Sequence, residues 1–175
     1  MINIYNKLFG NKMQGQLKSE QLKADLFLPW VFQGILLTTQ LAYIVACFAF
    51  ADQIQNTLPD DQRILIRTIL YVAAIITFPM TNLIRHIQLR LNQTMPFSDI
   101  TPRTLAKRRY LVTTIVSMLL IESIGVFGFV MFVLGDNYNT LFIFSGLSAL
   151  GFFLYRPKLT EYISIIEALT AAKDY

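Results

Sequence analysis

Charged side chains are scarce. Asp, Glu, Lys and Arg make up 15% of the 175 residues, where a soluble domain carries about 25%. The deficit comes with 54% hydrophobic residues and a mean hydropathy of +0.49, and the apolar residues fall in long unbroken runs, which excludes an ordinary soluble globule. Cysteine is nearly absent. The single Cys47 lies inside an apolar run, so no disulfide framework can form within the chain, and the thiol reads as a small buried hydrophobe. Histidine is equally rare. His86 has no second His, Cys or carboxylate beside it at ligand spacing, so neither a metal site nor a cofactor is expected. Phosphate-binding glycine loops, nucleophile elbows, zinc-protease helices and dinucleotide fingerprints are all missing. No enzyme is expected on that basis.

The balance of charge is basic, with a net +4 and a pI near 9.3. The Lys and Arg residues gather at the ends of the apolar runs and are not interleaved with aromatics. That is a membrane-orientation pattern rather than a nucleic-acid surface. The stretch ahead of the first run contains Glu20 and Asp25 and no compact apolar core, so a cleaved signal peptide is not expected.

What is present is a set of four membrane-length runs. A hydrocarbon core of about 30 Å needs about 20 residues at 1.5 Å each. Spans are expected over about 30–51, 64–84, 110–134 and 139–156. The first carries no charge, the second only Arg67 near its start, and the third only Glu122 near its middle. Basic residues then set the orientation. Lys7, Lys12, Lys18 and Lys23 precede the first span. Arg85, Arg90, Arg103, Lys107, Arg108 and Arg109 lie between the second and third. Arg156, Lys158 and Lys173 follow the fourth, whereas the other two connections are nearly free of Lys and Arg. The positive-inside rule places the N-terminus, the 85–109 loop and the C-terminus in the cytoplasm.

The expected fold is therefore an all-α bundle of four transmembrane helices in a cell (inner) membrane, with a cytoplasmic loop over 85–109 and amphipathic terminal segments. In the loop, RHIQLRLNQ reads as the second span continuing past the interface. Ser98, Asp99 and Thr101 before Pro102 offer caps for a helix leading into the third span. In the tail over 158–172, Leu159, Tyr162, Ile163, Ile166 and Leu169 share a helical face suited to a membrane surface or a partner helix.

One residue sits in an expensive place. Glu122 is about twelve residues past Tyr110, roughly 18 Å into the bilayer. A bare carboxylate there costs at least about 3 kcal/mol, so Glu122 must be neutral, paired or hydrated. Gln40 reaches about the same depth, roughly 16 Å past Pro29. A midplane polar layer of Gln40, Tyr43, Glu122, Ser123, Ser145 and Ser148 is thereby possible. Two readings stand: a proton or cation site, or a neutral carboxyl hydrogen-bonded across helices. Arg67 is a conceivable ion-pair partner, though its depth differs from that of Glu122 by roughly 12 Å. Gly125, Gly128, Ser145, Gly146 and Gly151 supply small residues for close helix packing, within the chain or between copies.

The stretch IESIGVFGFVMFVLG over 121–135 resembles the carboxylate-bearing helix of rotary-ATPase proteolipid subunits. The resemblance covers one span. In that family the hairpins connect on the cytoplasmic side, whereas the charges here put the hairpin connections outside, and the family is not adopted. The expected function is a non-catalytic subunit or accessory component of a larger membrane assembly. The alternative is a small oligomeric proton-coupled transporter or channel using Glu122. The expected partners are the lipid bilayer and a membrane protein or further copies of the chain.

Overall fold

A run of some twenty apolar residues can satisfy its backbone in a lipid-like setting only by bonding it internally, as a helix does. Each of the runs is helical in the computed structural model, which describes residues 20–94 and 102–171. A helical lead-in over 20–25 joins α1, Phe27–Ala49, at a turn on Leu26. A short α2, Ala51–Ile54, precedes α3, Asp60–Thr94. Then come α4, Pro102–Val133, α5, Tyr138–Leu154, and α6, Leu159–Ala171. No strand occurs among the described residues.

Three helices are long and apolar enough to cross a membrane: α1 with its lead-in, α3, and α4. A fourth crossing exists if α5 and α6, bent by 46° at their junction, are taken as one span. The 17 residues of α5 reach about 26 Å by themselves.

The helices on either side of the 85–109 segment extend into it, as read for RHIQLRLNQ and for a helix leading into the third span. α3 has 35 residues, about 52 Å, and so overshoots a 30 Å core by about 20 Å. α4 begins at Pro102, the position where a missing N–H is least harmful. The segment expected as a loop over 85–109 is therefore helical on both flanks. Ser98, Asp99 and Thr101 lie outside the described residues.

α4 is the central helix. Half of its most apolar stretch (50%) is buried within the fold, against 17% for α1 and 11% for α3. Around it lie three apolar clusters. The middle one holds Ala74, Met118, Ile121, Ile124, Phe144 and Phe152. One end is closed by Leu26, Ala106, Tyr110, Tyr162, Ile165 and Leu169, and the other by Cys47, Phe132 and Leu141. The α6 face that packs is centred on Tyr162, Ile165 and Leu169. Leu159 and Ile166 flank it and are partly buried; Ile163, expected on the same face, is half-buried but outside this cluster.

The end bearing most of the Lys and Arg is clasped by ion pairs. Asp25 receives the Arg103 guanidinium at 2.7 Å, the Lys107 ammonium at 3.2 Å and the Tyr162 hydroxyl at 3.0 Å. Arg85, only 4% exposed, pairs with Glu161 at 2.7 Å. The Tyr110 hydroxyl accepts the Lys158 N–H at 2.7 Å, which fixes the start of α6. The opposite end is fastened by backbone. Gly135 ends α4 with φ +87°. Its N–H bonds Phe132 O and that of Asp136 bonds Met131 O, both at 3.0 Å, completing a Schellman cap. The connection from α2 to α3 lies against this cap through Asn56 N–H to Val133 O at 2.7 Å.

Candidate functional site

Of the polar residues singled out at mid-span, Gln40, Ser145 and Ser148 sit together where α1, α4 and α5 meet. Gln40 is 4% exposed and donates its amide to Ser145 O on α5 at 2.7 Å. Ser148 is fully buried and donates to Ile121 O on α4 at 3.0 Å. Tyr43 lies within electrostatic reach of Glu122 and stacks on Phe129 with ring centroids 5.2 Å apart. Ser123 turns back to its own helix, donating to Leu120 O at 2.7 Å.

Glu122 stands apart from this bonding. It is 6% exposed, and neither carboxylate oxygen has a hydrogen-bond partner among the described residues. Arg67 does not reach it. Arg67 instead meets Asp136 at 3.4 Å, as the depth difference along the helices favours. Asp136 itself is 4% exposed and accepts the Asn137 N–H at 3.0 Å, while Asn137 caps α5 by accepting the Thr140 N–H at 3.2 Å.

Close packing of α4 on α5 makes the layer possible. A Cβ on Gly128 would lie 2.8 Å from the Phe144 Cβ and 3.2 Å from Leu141 O, and one on Gly151 would lie 2.7 Å from two Ile121 methyls. A Cβ on Gly125 would meet Ser148 Oγ at 3.3 Å and Gln40 Nε2 at 3.5 Å. These glycines and Ser145 sit inside the chain's own helix contact. Gly146 does not share that role: it is exposed, with open space where its Cβ would be.

Gln33 was not singled out from the sequence, yet it belongs to the same seam. It is 6% exposed and donates to Phe152 O at 3.1 Å. The signal was available, since Gln33 and Gln40 are two helical turns apart and so share one face. Both glutamines lean their side-chain amides onto α5, and each leaves its own carbonyl oxygen unpartnered among the described residues. The layer can hold three helices in register and offers one ionisable acid. Among the described residues, no group of three His, Cys, Asp or Glu is placed to hold a metal.

The chain matches no known protein-family model, no characterised protein and no solved structure.

Proposed function

We propose that this chain is a four-span membrane protein that serves as a non-catalytic component of a larger membrane assembly, with its basic end in the cytoplasm of a cell (inner) membrane. The observation that carries the reading is the use of the interior polar side chains. Gln33, Gln40 and Ser148 each donate to a backbone carbonyl of a neighbouring helix. Polar groups committed in this way act as glue between helices rather than as the wall of a path. A buried carboxyl with no hydrogen-bond partner among the described residues is least costly when it carries its proton, which makes Glu122 a neutral member of the same layer. The orientation rests on Arg85, Arg90, Arg103, Lys107, Arg108, Arg109, Arg156 and Lys158 gathering at one end.

The face that a partner in the assembly would take is on α3. Its outward face exposes Leu65, Ile69, Val72, Ile75, Ile76, Met80 and Leu83 over several turns, a surface that either lipid or another membrane helix would cover. Purification in mild detergent, with mass spectrometry of whatever accompanies the chain, tests the reading. A stoichiometric membrane partner cross-linked through α3 is the expected result. A chain that stays alone at native expression levels would contradict it.

A second reading, a small oligomeric proton-coupled transporter or channel, draws on the unpartnered oxygens of Glu122. An acid not held by donors is free to exchange its proton if water reaches it.

A further inference from the structure

At the basic end a cavity of about 380 Å³ opens between α3, the end of α5 and the start of α6. It is lined by Asn82, Arg85 and His86 from one side and by Tyr155, Lys158 and Glu161 from the other. Leu89 and Leu154 form an apolar part of the wall, and Leu154 is 45% exposed. The charges in this wall do not balance. Glu161 is the one acid, and it is engaged by Arg85 Nη2 at 2.7 Å and by Lys158 Nζ at 3.9 Å. Arg85 is thereby left half used. Its Nη1 is buried and has no hydrogen-bond partner among the described residues. A charged donor without an acceptor is costly, so this wall carries more positive charge and donor capacity than its one acid satisfies.

We propose that this cavity binds a phosphate anion, and that its source is the headgroup of an anionic phospholipid. Arg85 and Lys158 supply the charge, while Asn82 and His86 supply further polar atoms around the phosphate oxygens. Arginine suits phosphate because its planar fork offers paired donors. The apolar wall of Leu89 and Leu154 favours the lipid source over a free ion, because a glycerol backbone and the first acyl carbons need a non-polar surface beside the headgroup. The proposal rests on this end meeting the headgroup region of a membrane. Binding is measured in detergent, so its outcome is separate from the outcome of any topology experiment.

The test uses the full chain in neutral detergent, titrated in turn with short-chain phosphatidylglycerol, short-chain phosphatidylcholine and inorganic phosphate, and read by native mass spectrometry and thermal shift. Phosphatidylglycerol is expected to bind and stabilise well beyond phosphatidylcholine. Lys158→Gln is expected to weaken that binding about fivefold, the usual contribution of one basic residue near an anionic headgroup. Arg90→Gln, at an exposed cation on the helix that carries Arg85 but outside the cavity, should leave it unchanged. Arg85→Lys retains a charge for Glu161 while removing Nη1, so it separates loss of the site from loss of the fold. That variant should keep its melting temperature in lipid-free detergent and lose the lipid-induced shift. Stabilisation by inorganic phosphate equal to that by phosphatidylglycerol would keep the phosphate site and overturn the lipid source. No preference for phosphatidylglycerol, or an equal loss in the Lys158 and Arg90 variants, would overturn the site.

Discussion

Adding one methyl at Gly128 tests the helix contact on which the polar layer depends. The new Cβ would sit 2.8 Å from the Phe144 Cβ and 3.2 Å from the Leu141 carbonyl oxygen. Carbon atoms pack best at about 3.5–4.0 Å, so α4 and α5 would have to part by roughly 1 Å. Neither obstacle is the free end of a flexible side chain, so the strain cannot be relieved by a rotamer change alone. Overpacking of this kind costs about 1–3 kcal/mol. For a chain of 150–250 residues each kcal/mol moves the melting temperature by about 2–4 °C, so Gly128→Ala should melt roughly 2–12 °C below the parent in detergent. Gly146→Ala is the control. Its Cβ meets open space, and the exchange of Gly for Ala within a helix is worth up to about 1 kcal/mol in its favour. That variant should melt at or slightly above the parent temperature. Thermal unfolding followed by intrinsic fluorescence, with size-exclusion chromatography to confirm an unchanged oligomeric state, reads both. A Gly128 variant as stable as the parent would refute the intrachain packing of these two helices.

Other consequences are more local. Gln40→Leu removes the bond to Ser145 O, and Gln33→Leu the bond to Phe152 O. Each should lower stability by about 0.6–2 kcal/mol, and the double variant should lose nearly the sum; a double variant no worse than either single would mean the seam is not held at two separate points. Single cysteines introduced at Asn56 and Asn137, both exposed, in a Cys47→Ala background should react with an impermeant reagent from outside sealed cells, while those at Arg90 and Arg156 should not. Reaction at Arg90 would reverse the orientation. Amide hydrogen exchange across α6 should be slow from Tyr162 to Leu169, where the buried face anchors it, and fast exchange throughout would remove α6 from the packed structure.

The apolar runs themselves made the long helices legible, because a backbone surrounded by non-polar groups has few alternatives to internal bonding. The polar layer was legible for a related reason. Depth is linear in residue number along a helix, so Gln40 and Glu122 could be matched without knowing which helices touch. Rotation about each helix axis was less accessible. Periodicity placed Leu159, Tyr162, Ile163, Ile166 and Leu169 on a common face, but packing against Ala106 and Tyr110 centres the buried face on Ile165 instead of Ile163. Gly146 was grouped with its neighbours by composition, although one residue along a helix turns the side chain by 100° and takes it out of the contact. The pairs Arg67 with Asp136 and Arg85 with Glu161 join residues 69 and 76 positions apart. Such partners are chosen by how connections fold back on the bundle, and no local pattern specifies them.

The role of Glu122 is decided by one paired measurement on Glu122→Gln, with Glu122→Leu beside it. The glutamine keeps the shape and can both donate and accept hydrogen bonds, but it cannot ionise. The reading of Glu122 as a neutral part of the helix seam predicts that the glutamine variant melts within about 0.5 kcal/mol of the parent. The leucine variant should differ by no more than about 1 kcal/mol, the scale of polar contacts between membrane helices. Liposomes holding the parent protein should carry no proton flux above protein-free liposomes. Flux in the parent that disappears in Glu122→Gln, with melting temperature unchanged, would contradict the structural role and establish Glu122 as the proton-carrying group of a transporter.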